Sequence, residues 1–375
     1  MIEDSEIIAA MEKHKSQRKA AAALGVTKTV VQRRMAKLAT KGHLPGLGIG
    51  VEIPDPFYLE RLSVNQNLKT GEFTQVWHKL KVDDVKRAQM MEAFIAAMTK
   101  EMPRAPKIKH SGCKVDSSRM ATYIFGDPHF GMYSWGDETG GNWDLEIAER
   151  VHCEAMDYLV DMAPNTETAV VVNLGDLAHY DSIEPKTPAS GHIVDADSRF
   201  DKMLEVSFRS LRRMIEGALV KHKFVHVLSI PGNHDETTGK AITKMIAIAY
   251  ENNPRVTVDT TPSLFKYYRW ENNFIGVHHG HKCKPAGLPA VMQNDRRKDF
   301  AATDNHFWHV GHFHHADRKE YSDCIVEVHQ TLAAADAYAH NGGWRSKRSA
   351  VCVVYDKQYG ECGRLYAFAD QFKQV

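Results

Sequence analysis

Cysteine is sparse in this 375-residue chain: six residues, at 113, 153, 283, 324, 352 and 362, with no C-x-x-C pair. That scatter excludes a disulfide framework and a thiolate zinc knuckle, and points to a reducing, cytoplasmic compartment. No stretch approaches 18 apolar residues, and Met1-Ile2-Glu3-Asp4 lacks a basic start. Neither a membrane span nor a secretory signal is therefore expected. Charge of one sign is also lacking, since the net value is +1. Affinity for a polyanion must then come from local clustering rather than bulk charge. Histidine is what the chain has in plenty. Of its 21 histidines, 17 lie beyond residue 128, and several follow runs that read as strands.

Clustering of charge appears at the N-terminus. Residues 1–45 carry nine Lys/Arg against four Asp/Glu. Ile7, Ile8 and Met11 give a first amphipathic helix. Ser16 can cap a second over Gln17 to Leu24, which Gly25 breaks, and Thr27 a third through Val30, Val31, Met35 and Leu38 to Gly42. Ala21, Gly25 and Val31 fit a helix-turn-helix: a small residue at the crossing, a glycine in the turn, an apolar anchor on the second helix. Lys28, Gln32, Arg33, Arg34 and Lys37 on that helix are the DNA-contact candidates, cations for phosphates and Gln for base edges. A solvated basic face on a plain helical hairpin is the blander reading. The unit resembles the helix-turn-helix modules of phage and bacterial regulators.

Residues 46–118 read as a linker and accessory module. The Gly/Pro stretch His43 to Gly50, with Pro54 and Pro56, separates it from the helices. Arg61 to Leu68 and Glu72 to Val82 alternate around Lys69-Thr70-Gly71, a hairpin signal. Val85 to Met102 has helical period, with Met91, Phe94, Ile95 and Met98 on one face.

From residue 119 to 375 strand and helix patterns repeat, the mark of an α/β domain. Strands are expected at 121–125, 168–174, 224–230, 256–258, 264–270, 273–278, 307–310, 324–329 and 350–355, and helices at 144–162, 198–220 and 238–252. The run Thr168 to Leu174 is apolar at both odd and even positions, as in a strand covered on both faces. It stops at Gly175-Asp176. Four other strand ends behave alike: Gly126-Asp127-Pro128-His129, Pro231-Gly232-Asn233-His234-Asp235, His278-His279-Gly280-His281 and Gly311-His312-Phe313-His314-His315. Ligands of open α/β sheets bind at the carboxyl ends of strands. Asp, Asn and His together suit a borderline divalent ion such as Mn, Fe or Zn. No thiolate lies in these motifs, which argues against structural zinc. Seven oxygen and nitrogen donors exceed one tetrahedral ion and suffice for two, bridged by a carboxylate.

D-x-H, G-D-x-x-H, G-N-H-D, H-G-H and G-H-x-H in this order resemble the calcineurin-like metallophosphoesterase superfamily, over roughly residues 119–330. The resemblance implies a four-layer αββα sandwich beside the N-terminal helix-turn-helix. It implies that Asp127, His129 and His314 hold one metal, that Asn233, His279 and His312 hold the other, and that Asp176 bridges. Manganese is the first expectation, with iron or zinc as alternatives. His234 would assist the leaving oxygen and Asp235 would orient His234. Gly175-Asp176-Leu177-Ala178-His179 is similar to the nuclease branch, and the aspartate-arginine-glycine of the phosphatase branch is missing. His179 is then a candidate to touch the scissile phosphate, or else a loop histidine. His309 and His315 are expected to pack or meet solvent.

Three loops offer further contacts: Tyr180 to Arg199, the basic Lys282 to Lys298, and Asn341 to Arg348, where Trp344 stands among three cations. The whole layout resembles phage-encoded phosphoesterases, which would place it in a bacterial host cytosol. The expectation is a two-metal phosphodiesterase acting on DNA, tethered by its N-terminal helices. The alternative is a phosphomonoesterase or small-nucleotide phosphodiesterase whose helical unit serves homo-oligomerisation. A DNA-binding regulator with a vestigial metal site is disfavoured, because no expected ligand is missing.

Overall fold

The computed structural model describes residues 2–44, 49–50, 53, 57–67, 70, 73–82, 85–86, 89, 93, 104–188 and 191–372. The chain forms two compact units, Met1–Ala96 and Ala97–Val375. The Gly/Pro stretch at 45–48 and 54–56, Lys69 and Gly71 of the hairpin turn, Ser190, and most of the helix expected over 85–102 lie outside the described residues.

The first unit begins with α1 (Asp4–His14), α2 (Gln17–Ala23) and α3 (Lys28–Thr40). Ile7, Met11, Ala20, Ala21, Val31 and Leu38 bury together with Ile8 and Met35 packed against them, so most of the apolar residues picked out by period face one core, while Val30 is exposed. Gly25 has φ +66°, a left-handed turn that glycine takes without a Cβ penalty. Ser16 and Thr27 stand at the N-cap positions, but neither side chain makes a capping bond. The box at α1 is instead made by Glu3 and Glu6. β1 (His43–Leu44) pairs with β2 (Ile49–Gly50), and β3 (Phe57–Gln66) with β4 (Phe73–Val82). β3 starts four residues earlier than the alternation predicted.

The second unit is a four-layer stack. In chain order it contains β5 (Asp116–Phe125), α4 (Gly136–Thr139), α5 (Leu145–Met162), β6 (Thr166–Asn173), α6 (Phe200–Lys221), β7 (Phe224–Ser229), α7 (Thr238–Ala249), β8 (Val256–Val258), β9 (Lys266–Trp270) and β10 (Asn273–His278). There follow α8 (Leu288–Asp295), α9 (Arg297–Phe300), β11 (Asn305–Val310), β12 (Asp317–Tyr321), β13 (Cys324–Val328), α10 (Ala337–Asn341), β14 (Ser349–Asp356) and β15 (Gly360–Phe368). One sheet has the order β15-β14-β5-β6-β7-β8, the other β12-β13-β11-β10-β9. β5 through β8 run parallel, as do β10, β11 and β13, with antiparallel strands at the margins.

Alternation along β6 explains the layering. Ala169 and Val171 point to α5, α6 and α7, in a core with Leu159, Leu211, Ile215 and Ile242. Val170 and Val172 point the other way, into the layer between the sheets with Ile124, Leu228, Ile275, Val277 and Phe307. A third layer, Phe274, Trp308, Val310 and Leu288, seats α8 on the outer face of the second sheet. Each fully buried Val or Leu contributes about 1.5–3 kcal/mol relative to exposure, so both faces of β6 hold the stack. Gly276 lies opposite Trp308. A Cβ there would stand 2.6 Å from the indole, so the glycine admits the ring.

β12 and β15 were not expected. β12 reads Asp-Arg-Lys-Glu-Tyr and is exposed along nearly its whole length. It is an edge strand whose charges deter further pairing, and charges carry no strand signal. Among the described residues, no helix is long and apolar enough to cross a membrane.

Candidate metal centre

Five strand ends of the two sheets meet at one edge. After β5, Asp127 is fully buried and His129 nearly so. Both oxygens of Asp127 accept the His312 N–H, at 2.8 and 3.0 Å. Its carbonyl accepts the Thr331 hydroxyl at 2.7 Å. The loops after β5 and β6 are knit by His129 N–H to the Asp176 carbonyl and Phe130 N–H to the Leu177 carbonyl, both 2.9 Å. Glycine clears the space: a Cβ on Gly311 would press on Asp127 Oδ2 at 2.9 Å.

Two donor groups result. In the first, His314 Nε2 lies 3.4 Å from Asp127 Oδ1 and 3.3 Å from His129 Nε2. In the second, His279 Nε2 lies 3.2 Å from Asp176 Oδ2 and 3.0 Å from Asn233 Oδ1, and His312 completes the group with Asp176 and His279. The same Asp176 Oδ2 stands 3.9 Å from His129 Nε2, so one carboxylate reaches both groups. All seven residues predicted as ligands are thus brought together.

These separations suit cations. Donors about 2.1 Å from one ion at tetrahedral or octahedral angles stand roughly 3.0–3.4 Å apart. Among the described residues, Asp127 and Asp176 make ion pairs only with histidines, so two buried carboxylates lack a fixed positive charge. Burial lowers His279, but Asp176 and Asp127 outweigh it and push it up to about 9. Burial likewise opposes the charge on His314, and Asp127 overcomes it. His129 is held well below the usual imidazole range by burial and by His234, which together outweigh the pull of Asp176. The His279 Nδ1 donates to the Leu174 carbonyl at 2.8 Å, which leaves its Nε2 lone pair for an ion. The His/Asp groups could bind metal, and the nitrogen–oxygen set fits a borderline divalent ion.

The backbone is strained where the candidate ligands sit. Of eight non-glycine residues with positive φ among the described residues, five are Asp127, His129, Asp176, His312 and His314, at +48°, +46°, +49°, +72° and +55°. L-residues avoid this region at about 1–2 kcal/mol each, and such residues gather at functional sites.

Two expectations change. Asp235 does not orient His234. Its buried carboxylate accepts N–H from Gly232 at 2.7 Å, Leu177 at 2.8 Å and Ala178 at 3.2 Å, because three amides turn inward where two loops cross. Burial, joined by the charge of Asp176, pushes it up to about 7. His234 is held instead by the His179 carbonyl, 2.8 Å from its Nδ1, and its N–H donates to Asp176 Oδ1 at 2.8 Å. His179 is closed to substrate: it is 1% exposed, stacked on His234, with Nδ1 3.2 Å from His129 Nδ1. Burial holds it down at about 3.

Other site residues carried no sequence signal. Asp181 accepts the Thr237 and Thr238 N–H groups at the start of α7. Behind the centre, His309 bridges His329 at 2.9 Å and the Tyr355 hydroxyl at 2.8 Å, while Arg364 pairs with Glu327 and Glu361. His309, Glu327 and His329 also form a buried donor group, but both ring nitrogens of His309 are engaged. His278 turns away from the centre onto Phe265, and His315 is exposed. Lys28, Gln32, Arg33 and Lys37 are exposed on α3. Arg34 is turned inward, to Asp4 at 2.6 Å and the Ile2 carbonyl at 3.1 Å.

The family model for calcineurin-like phosphoesterases matches residues 120–358, well over half of the sequence. The chain belongs to the calcineurin-like phosphoesterases. A helix-turn-helix domain model matches residues 1–39 of this phosphoesterase. No curated protein matches it. Among solved structures it is similar to a dimetal phosphatase from Danio rerio, at 8% identity and TM-score 0.35, covering 68% of this chain and all of that one. An archaeal phosphodiesterase gives 13% identity and TM-score 0.31, over 66% of this chain and all of that one. A predicted phosphoesterase from Streptococcus pneumoniae gives 12% and 0.32, over 68% and 92%. The metallophosphoesterase family uses divalent metals, and this chain is a metal-dependent hydrolase of phosphoesters.

Proposed function

We propose that this phosphoesterase is a nuclease: a two-metal phosphodiesterase that hydrolyses DNA and is held on its substrate by the N-terminal helices. The observation that carries the reading is a helix-turn-helix with Lys28, Gln32, Arg33 and Lys37 exposed on the same chain as the two donor groups. Arg34 is left out of the contact set because Asp4 engages it. The G-D-x-x-H motif and the exposed cations of Lys282, Lys284, Arg297 and Lys298 support a polyanionic substrate, Arg296 being engaged by Asp299. Tethering raises the local concentration of scissile bonds. The reading places the enzyme in a cytosol, that of a bacterial host if the gene is phage-borne, and leaves room for a homo-oligomer.

Asp127, His129 and His314 would hold one ion, Asn233, His279 and His312 the other, and Asp176 both; manganese is the first choice, with iron or zinc next. Such ions supply charge withdrawal from the phosphoryl oxygens and an activated nucleophile. The protein's own part is positional. The His179 carbonyl accepts from the His234 Nδ1, so with the ring in its doubly protonated form the Nε2–H would be the one left to pass to the leaving oxygen, the ring ending as the neutral Nδ1–H tautomer. Asp235 and Asp181 tie the Asp176 loop to the Asn233 loop.

The test pairs manganese-loaded protein with linear, nicked and single-stranded DNA, beside p-nitrophenyl phosphate and bis-p-nitrophenyl phosphate. Cleavage of DNA and of the diester is expected. Turnover of the monoester alone would overturn the nuclease reading in favour of a phosphomonoesterase.

A further inference from the structure

Large aromatic side chains in water are usually single. Here four gather on two adjoining loops. Tyr338 on α10 is 74% exposed and Trp344 beyond it 59%, with ring centroids 5.3 Å apart in an edge-to-face pair. Trp135 at the start of α4 is 53% exposed and Tyr133 44%. The loops touch: the Ser134 hydroxyl donates to the Ala335 carbonyl at 2.8 Å.

Both loops are rooted at the metal edge. Residues 130–135 continue the segment that carries Asp127 and His129. The other loop leaves beside Thr331, whose hydroxyl holds the Asp127 carbonyl, and returns through Ser346, bonded to Gln330 at 3.1 Å. It is a built loop rather than a loose one. Asp336 caps α10 through the Ala339 N–H, Arg348 grips the Leu332 carbonyl and lies over the Trp143 ring, and Trp344 N–H donates to the Ala339 carbonyl. Nothing in the fold requires the rings of Tyr338 and Trp344 to face water. Arg345 and Lys347 stand exposed beside them, while Asp137 and Glu138 are exposed on α4. Cations on one side and carboxylates on the other give a strand one favourable side for its phosphates.

We propose that Tyr338 and Trp344, with Tyr133 and Trp135, form a platform on which unpaired nucleobases stack, with Arg345 and Lys347 holding the adjoining phosphates. The substrate class is therefore single-stranded nucleic acid, or a duplex opened beside the scissile bond. This rests on the nuclease reading of the metal centre. Stacking on exposed rings suits unpaired bases of any sequence, whereas paired bases hide their faces.

The test measures binding by fluorescence anisotropy in moderate salt, full chain throughout. The probes are a labelled 20-nucleotide oligothymidylate, an abasic strand of equal length and charge, and a duplex. The wild type is expected to prefer the oligothymidylate to the abasic strand. Trp344→Ala and Tyr338→Ala should each weaken oligothymidylate binding by roughly tenfold and barely change abasic binding. Trp344→Phe, which keeps a ring, should restore most of the loss, and unchanged circular dichroism would exclude misfolding. Equal loss on both strands would assign the loop's role to charge alone and overturn the platform. Unchanged affinity would do the same, leaving the face to a protein partner. A wild type that cuts DNA with no effect of these variants sinks only the platform; one that neither binds nor cuts DNA sinks the nuclease reading as well.

Discussion

Gly232 precedes Asn233, and the space its missing side chain leaves is filled by Asp176. A Cβ there would fall 2.0 Å from Asp176 Oδ1 and 2.6 Å from its Cγ. The φ of Gly232 is not in the left-handed region, so alanine suits its own backbone, and the penalty falls on the Asp176 carboxylate and on the Asp176 backbone nitrogen, also 2.6 Å away. In Gly232→Ala the Asp176 side chain must swing away from the His234 N–H, now at 2.8 Å, and from His279, now at 3.2 Å. A hydrogen bond to a charged group contributes about 1.5–3 kcal/mol, and overfilling a packed site costs about 1–3 kcal/mol. If their sum of about 2.5–6 kcal/mol appears in ion binding, affinity falls roughly 10²–10⁴-fold. Manganese titration calorimetry on stripped protein would read this, with turnover of bis-p-nitrophenyl phosphate alongside. Gly141→Ala is the control, since nothing lies within 4 Å of its Cβ. Wild-type affinity and turnover in Gly232→Ala would refute Asp176 as a shared ligand.

His222 is buried between the Tyr123 hydroxyl at 2.7 Å and Thr166 at 2.9 Å, and burial pushes it down to about 4. Its folded value lies below the unfolded one near ~6.5, so it does not affect stability at neutral pH. Below that, the unfolded chain binds a proton that the fold refuses. Denaturant melts should show stability falling between about pH 6.5 and 4, by on the order of 1 kcal/mol per unit from this group; an equally steep limb in His222→Gln would refute the assignment. Arg364→Met leaves the buried Glu327 without its cation, while Glu361 keeps Arg318, and should cost about 3–5 kcal/mol by chemical melts, while a loss under 1 kcal/mol would count against it. In salt titrations of duplex binding, Lys28→Ala and Lys37→Ala should each reduce the log–log slope by about 1. Arg34→Ala should leave that slope unchanged and lower stability by under about 1 kcal/mol.

The sheet core was legible because β6 is apolar on both faces, and its neighbours end in glycine followed by Asp, Asn or His. Those signals are local: period within a strand, a turn residue, a donor. β15, Gly-Glu-Cys-Gly-Arg-Leu-Tyr-Ala-Phe, has no clean alternation, and its pairing with β14 shifts at Val354. α8 opens at Leu288-Pro289 inside what read as a basic loop. Roles were harder to read than places. Nothing in Asn233-His234-Asp235 tells that the aspartate gathers three amides from two loops, since its partners at 177 and 178 are set by how the strands sit side by side. His179 kept its motif position, but its burial against His129 depends on the loop beyond it.

The left-handed backbone at Asp127, His129, Asp176, His312 and His314 has a consequence for metal exchange. The donors are set in place by the fold's own torsions, so an arriving ion finds them waiting and need not recruit them. Replacing one divalent ion with another should then change the speed of hydrolysis far more than the shape of the protein.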